Sequence, residues 1–163
     1  MQSLYQEIVQ QSRHPVFYKE WGVPDSVDGR FDMISLHCAI MIYRIQKTGD
    51  KKLSQILFDV FFKTMDRTLR EMGIGDLSVP KHMKRMMQGF NGRMIRYAKA
   101  IENEDDSSLE DSIRRNVYGT IEDEAIEQDN IRKMAQYFKN SCKMDGIEPV
   151  FAEIITKDNK NAA

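Results

Sequence analysis

Apolar residues recur at spacings of three and four along most of this chain, which is the period of amphipathic α-helices. The clearest helix is predicted at residues 51–72. Its apolar positions are Leu53, Ile56, Leu57, Val60, Phe61, Met65, Leu69 and Met72. Weaker versions of the pattern predict a first helix at residues 4–13 and a last helix at about 121–143. Only residues 150–155 leave both a short strand and a helical turn open, so the pattern predicts an all-α fold.

A second helix, predicted at about 31–47, is apolar on almost every side. Its apolar residues are Met33, Ile34, Leu36, Cys38, Ile40, Met41, Ile42 and Ile45. A helix that is apolar all round is buried, so we expect this one to be the largely buried central helix. The contents of glycine (9) and proline (4) are also low. Together these features predict a single-domain helical bundle of five or six helices over residues 1–157.

The first helix is expected to end at His14, because the residue before a proline avoids helical dihedral angles. Residues 14–30 then contain Trp21, Pro24 and two glycines. This composition predicts an irregular linker that is anchored to the core by aromatic side chains.

A sharp change of composition follows the middle of the chain. Residues 102–111 hold six acidic residues and no lysine or arginine, which predicts an acidic loop. Within it, Ser107 and Glu110 form a capping-box pattern that starts a short helix reaching Tyr118. Residues 158–163 are expected to be a disordered tail.

A basic amphipathic helix is predicted at about 79–101, with Ser78 as its N-cap and Pro80 in its first turn. No acidic residue occurs between Asp76 and Glu102. The basic residues are Lys81, Lys84, Arg85, Arg93, Arg96 and Lys99. The residues on the opposite side are Met83, Met86, Met87, Phe90, Met94, Tyr97 and Ile101. Gly89 and Gly92 lie inside this helix and predict a kink or a close helix contact.

Three interpretations of the basic helix remain open. Its apolar face can be core while its basic face is solvated. The basic face can instead meet phosphate, either of a lipid head group or of RNA. The methionine-rich side can also accept varied apolar partners, because methionine is flexible and polarisable. The acidic run at residues 102–111 could fold back and neutralise the basic face.

Composition and charge narrow the function classes. The chain of 163 residues has 24 lysines and arginines against 25 aspartates and glutamates, for a net charge of -1. Such a chain has no overall attraction to nucleic acid, so we expect no specific DNA partner. It has no run of 18 apolar residues that could span a membrane. Its first residues lack the basic and apolar regions of a secretory signal, so we expect a cytoplasmic protein. Cys38 and Cys142 are then reduced structural thiols.

No motif in the chain points to catalysis, a metal or a cofactor. His14, His37 and His82 lie outside metal-ligand spacings, and no phosphate-binding loop or nucleophile elbow occurs. His37 lies on the most apolar helix, where a packed and hydrogen-bonded core histidine is the favoured interpretation over a site role. Asp59 and Asp66 nearly share a helix face, which suits either acid–base chemistry or ion pairs with neighbouring arginines. We therefore expect no catalytic residue, no metal ligand and no cofactor.

Specific segments of the chain resemble the ubiquinol–cytochrome c chaperone family in its bacterial form. The resemblance extends over about residues 4–118, and the run from Leu53 to Arg93 is long and specific. The segments that carry it are 4–9, 14–18, 23–25, 28–33, 36–37, 53–61, 65–67, 69–77 and 81–97.

This resemblance implies a non-enzymatic chaperone for assembly of the ubiquinol–cytochrome c reductase (bc1) complex. The implied client is newly made cytochrome b or another bc1 subunit, met at or near the inner membrane. Ribosomes and an anionic membrane surface are further implied partners. The resemblance assigns partner binding to Arg67, Arg70, Asp76, Lys81, Lys84, Arg85 and Arg93. Arg30 and Asp66 are expected to hold the fold.

Two further expectations accompany this assignment. An apolar client surface is predicted at Met83, Met86, Met87, Phe90 and Met94, because a chaperone for a membrane subunit must shield apolar segments. The alternative function is a ribosome- or RNA-associated binding module that acts through the basic helix at 79–101. An enzyme built around His37, Asp59 or Asp66 is disfavoured, since no catalytic motif accompanies these residues.

Overall fold

The structure, a computed structural model, describes residues 1–156. Its α-helices are α1 (Gln2–Ser12), α2 (Pro15–Lys19), α3 (Val27–Lys47), α4 (Lys51–Glu71), α5 (Val79–Glu102), α6 (Asp106–Val117) and α7 (Gln128–Lys143). A 3₁₀ turn at Asp123–Ala125 precedes α7. Six of these helices have 11 residues or more, and residues 1–156 contain no strand. The predicted all-α bundle of five or six helices is confirmed.

Helix α3 is the centre of the bundle. It packs against α1, α4, α5, α6 and α7, and all its residues from Ser35 to Ile45 are buried. The predicted central helix is thus confirmed, but it begins at Val27 and not at Phe31. Its first turn is capped by Ser26, whose hydroxyl accepts a hydrogen bond from the Gly29 N–H at 3.1 Å.

The predicted linker at 14–30 is only partly irregular. Pro15 opens the five-residue helix α2, since its fixed φ suits a first helical turn, and the His14 ring accepts a hydrogen bond from the Val16 N–H. The rings of Phe17 and Trp21 are buried and meet edge to face at 5.4 Å. The aromatic anchoring is therefore present, while the local helix was not predicted.

The second half of the chain also differs from the prediction at helix boundaries. Helix α6 is capped by Asp105 and not by Ser107, because the Asp105 carboxylate accepts hydrogen bonds from both the N–H and the hydroxyl of Ser108. Helix α7 begins at Gln128, seven residues later than expected. Residues 150–155 form neither a strand nor a helical turn. The predicted tail at 158–163 lies outside the described residues.

His37 is a core histidine, as favoured from the sequence. Its Nδ1 lies 2.7 Å from the Met33 carbonyl and its Nε2 lies 2.8 Å from the Tyr137 hydroxyl. A carbonyl can only accept, so Nδ1 carries the proton and Nε2 accepts from Tyr137. Complete burial lowers the pKa of His37 to about 4, which keeps the ring neutral. This hydrogen bond joins α3 to α7.

Arg44 is a second polar group on the buried helix, and its role was not predicted. Its guanidinium donates hydrogen bonds to the carbonyls of Asp145, Gly146 and Val150 at 3.1, 3.2 and 2.5 Å. Burial lowers its pKa from the ordinary value of 12.5. Arg44 therefore fastens the segment after α7 to the central helix.

None of the helices in residues 1–156 is long and apolar enough to cross a membrane.

Replacing Arg44 by Met should destabilise the fold. Methionine fills much of the same space but leaves three carbonyls without their donor, and we expect the free energy of unfolding to fall by about 2 kcal/mol. Urea unfolding followed by circular dichroism measures this loss. The matched control is Arg132→Met, since Arg132 is exposed on α7. Equal stability of the two variants would contradict the assigned role.

Candidate functional site

Helix α5 presents one apolar side to the bundle and one basic side to solvent. Val79, Phe90 and Tyr97 are buried on the inner side, against α3, α4 and α6. Lys81, Lys84, Arg85, Arg96 and Lys99 are exposed on the outer side. The predicted helix at 79–101 matches Val79–Glu102 closely, although Ser78 makes no side-chain capping hydrogen bond.

The acidic run after α5 leaves the first half of this basic face uncompensated, while Asp105 and Asp111 share a surface pocket with Arg96 and Lys99 near the end of α5. Asp106 pairs with Lys139 at 2.9 Å, and Glu104 lies 3.7 Å from Lys143, so both acids reach α7. Lys81, Lys84 and Arg85 form no ion pair within residues 1–156. We call these three residues the basic patch. It remains an uncompensated positive surface on the first half of α5.

Three further residues that the sequence assigned to partner binding lie in the last turns of α4 and in the loop that follows it. Arg70 bridges Asp66 at 2.9 Å and Asp76 at 2.7 Å. Arg67 lies 3.8 Å from Glu71, and both side chains are exposed. Exposed pairs add little stability, and the pair of Arg70 with Asp76 is one of them, although it joins α4 to the loop between α4 and α5. The expected pairing of Asp66 with an arginine is confirmed.

An apolar cleft of about 300 Å³ opens between α3, α4 and α5. The aromatic rings that line it belong to Phe31, Phe61, Phe62 and Phe90. The remaining lining residues are Ser35, Arg85, Met86, Gly89 and Arg93. Two arginines thus line the cleft together with four aromatic rings. We call this feature the aromatic cleft.

The residues predicted as an apolar client surface are divided between the core and this cleft. Phe90 is only 4% exposed, and its ring packs on Phe58, Phe61 and Phe62 at 5.9, 5.5 and 5.6 Å. The four methionines are partly buried and pack against the edge of the core. They are Met83, Met86, Met87 and Met94. Of these, Met86 lines the cleft.

Gly89 borders the cleft and leaves it open. A Cβ placed at this position would have no neighbouring atom within 4 Å, and α5 continues unbroken through it. A Cβ added at Gly92 would meet only the guanidinium of Arg96 on the same helix, at 3.8 Å. Of the two predicted alternatives for Gly89 and Gly92, a kink or a close helix contact, the close contact is therefore wrong. A side chain at position 89 would enter space that is empty of protein.

Asp32 on α3 lies next to Arg93, one of the two arginines that line the cleft. Its carboxylate lies 3.9 Å from the Arg93 guanidinium, and its side chain is only 18% exposed. Burial raises the pKa of Asp32 to about 7; the attraction of Arg93 lowers it, and nearby Asp28 adds repulsion. Burial prevails because 3.9 Å is a long ion pair. Sequence reasoning missed this carboxylate, and no spacing in the chain indicates it.

The site offers binding surfaces and no assembled catalytic group. Asp59 accepts a hydrogen bond from Gln55 at 2.8 Å, Asp66 accepts from Arg70, and His37 is sealed in the core. The described residues hold no cluster of His, Cys, Asp and Glu that could bind a metal ion. Sequence reasoning also missed Phe31, whose place in the cleft depends on how α3 meets α4.

Comparisons with known proteins give two matches. The sequence model of the family described as Ubiquinol-cytochrome C chaperone matches residues 19–144. Among solved structures, the crystal structure of the Cbp3 homolog from Brucella abortus superposes with a TM-score of 0.73 and is 33% identical in sequence. The alignment covers 84% of this chain and 75% of that one. None of the curated proteins compared with the chain matches it significantly.

Replacing Asp32 by Asn should change how stability depends on pH. The folded-state pKa of Asp32 is about 7, above its unfolded value, so the native protein loses stability as the pH rises from about 4 through 7. Asparagine carries no such charge. Asp32→Asn should match the wild type near pH 4 and exceed it by about 4 kcal/mol near pH 8.

Urea unfolding of both proteins across this pH range tests the expectation. Asp111→Asn is the matched control, because Asp111 is exposed on α6. A constant stability difference between the Asp32 variant and the wild type would show that the buried carboxylate does not titrate as described.

Proposed function

The chain belongs to the ubiquinol–cytochrome c chaperone family, and on that premise we propose that it binds newly made cytochrome b during assembly of the bc1 complex. It is a non-enzymatic assembly factor whose client lies in that complex. The observation that carries the finer proposal is the aromatic cleft between α3, α4 and α5. Of the residues predicted to bind a partner, Arg85 and Arg93 line this cleft and belong to the same proposal.

The chemistry of the cleft suits a segment of a membrane protein. Its phenylalanine rings offer a dry surface for an apolar side chain, and Met86 can adapt to side chains of different shape. The partly buried Met83 and Met87 extend the apolar surface along α5. A transmembrane segment that waits for insertion exposes apolar side chains that would otherwise aggregate in water. The cleft and its methionines would cover some of them.

The positive charges at the cleft favour client segments of one charge over the other. Arg85 and Arg93 border it, so an apolar segment flanked by a carboxylate would fit better than one flanked by a lysine. Arg93 is partly occupied by Asp32, whereas Arg85 has no ion-pair partner in residues 1–156. Arg85 is therefore the residue we propose for contact with an acidic group of the client.

A membrane client also implies a place of action. Cytochrome b must pass into the bilayer, so we propose that the chaperone works peripherally at the inner membrane. Its described helices offer no transmembrane span, and attachment would depend on surface residues.

A ribosome- or RNA-associated role is the second candidate, and one observation favours it. The basic patch (Lys81, Lys84 and Arg85) faces solvent without acidic partners in the described chain. Phosphate groups bind such surfaces, and this binding weakens steeply with added salt. The two roles can be separated, because Lys81 and Lys84 do not line the cleft.

Filling the cleft should reduce client binding. Gly89→Leu places a side chain in the empty space beside Phe90 without meeting another atom at its Cβ. We expect recovery of cytochrome b with the tagged protein from detergent-solubilised host membranes to fall about tenfold, as for loss of an apolar pocket contact. Gly92→Leu is the matched control, since Gly92 does not line the cleft. Full recovery with folded Gly89→Leu would refute this site.

Reversing two charges of the basic patch tests the second candidate. Lys81→Glu combined with Lys84→Glu leaves the cleft residues in place. If the protein acts on a client, cytochrome b should still be recovered with this variant at the wild-type level. Loss of ribosome sedimentation, together with unchanged cytochrome b recovery, would assign the basic patch to RNA. Loss of cytochrome b alone would include the patch in the client site.

A further inference from the structure

The loop between α4 and α5, residues 72–78, exposes apolar side chains at its surface. Leu77 is 97% exposed, more than any other large apolar residue in the described part of the chain, and Met72 is 57% exposed. Exposing both to water is unfavourable. A single exposed leucine is common on protein surfaces, so its surroundings decide whether it has a role.

This loop is held in place at both ends. Helix α4 ends in a Schellman motif, in which Gly73 has φ +87° and the N–H groups of Gly73 and Ile74 donate to the carbonyls of Arg70 and Leu69. At the other end, Val79 is fully buried and the Ser78 N–H donates to the Gly75 carbonyl at 2.8 Å. Its conformation is therefore well defined.

Leu77 projects outward because both of its neighbourhoods are anchored. The Asp76 carboxylate pairs with Arg70 on α4 at 2.7 Å, and Val79 fills a place in the core. Leu77 stands between these two fixed points. The backbone therefore holds the Leu77 side chain out in the solvent. A side chain that inserts into a membrane must be exposed in this way.

Positive charge predominates in the helical segments that flank this loop. Residues 63–85 carry six basic and three acidic residues, a net charge of +3, whereas the whole chain carries -1. The basic residues are Lys63, Arg67, Arg70, Lys81, Lys84 and Arg85. The acidic residues are Asp66, Glu71 and Asp76, and each has an arginine within 4.0 Å. The basic patch is what remains uncompensated.

We propose that this loop inserts Leu77 and Met72 into the interface of an anionic lipid bilayer while the basic patch binds the lipid phosphates. An apolar side chain beside lysines is the combination that holds proteins on anionic membranes. Each lysine or arginine near such a surface strengthens binding about fivefold. This inference rests on the proposed function for its setting, a chaperone that serves a membrane subunit.

The proposed orientation keeps the aromatic cleft close to the bilayer. Gly89 lies ten residues beyond Val79 on α5, which corresponds to about 15 Å along the helix axis. A client segment held in the cleft would therefore lie near the membrane into which it is inserted. Leu77 could instead be buried by the client or by a second copy of the chain. The experiment below distinguishes both of these from binding to a membrane.

Vesicle flotation with the full chain tests the loop directly. Wild-type protein should float with vesicles of phosphatidylcholine and phosphatidylglycerol and remain below vesicles of phosphatidylcholine alone. Leu77→Asp should lower binding to the anionic vesicles about tenfold or more. The substitution removes the leucine that would be buried in the bilayer and adds a negative charge that the anionic lipids repel. Val27→Asp is the control, since Val27 is 65% exposed at the start of α3, and it should float like the wild type.

Three outcomes would overturn the inference. These are wild-type protein that binds neither vesicle, Leu77→Asp that binds like the wild type, and a wild-type dimer in size-exclusion chromatography that Leu77→Asp converts to a monomer without any vesicle binding. In detergent, Leu77→Asp should still recover cytochrome b, because its cleft is intact. Normal vesicle binding with no cytochrome b recovered would instead refute the client proposal and leave the loop assignment standing.

Discussion

The burial of α3 on all sides is the constraint on which the rest of this structure depends. The residues from Ser35 to Ile45 are buried, so polar groups at the centre of this stretch must find their partners inside the protein. His37 meets the Tyr137 hydroxyl, and Arg44 meets three backbone carbonyls after α7. These contacts fix α7 and the following segment on the central helix. The bundle is thereby organised by polar satisfaction as well as by apolar packing.

The enclosure of α3 also explains why open apolar and basic surfaces remain on α4 and α5. Phe61 and Phe62 close the core from α4, and Phe90 completes it from α5. The first half of α5 has no further helix outside it, so its methionines are only partly buried and Gly89 faces empty space. The aromatic cleft, the basic patch and the α4–α5 loop consequently lie along one continuous part of the molecule. A non-enzymatic assembly factor needs such contact surfaces and no reactive group.

The charged residues on and around α5 differ in whether they have partners within the protein. Glu104 and Asp106, which follow α5, pair with lysines of α7, and the basic patch has no ion-pair partner within residues 1–156. Arg70 differs from the basic patch, since it pairs with Asp66 on its own helix and with Asp76 in the loop that carries Leu77. Basic residues that lie close in sequence therefore have different environments. Arg70 is paired with carboxylates of the protein, whereas the residues of the basic patch are not.

The sequence by itself determined the helical class, the buried central helix and the basic amphipathic helix, because apolar periodicity depends only on local order. It also indicated the family, through segments such as residues 69–77. Only the tertiary structure decided where the acidic run pairs, that Phe90 is core, and that Phe31, Arg85 and Gly89 border one cleft. Helix starts at Val27 and Gln128 were missed because caps compete over a few residues. Relations between side chains on different helices require the packing angles of those helices, which no one-dimensional pattern contains.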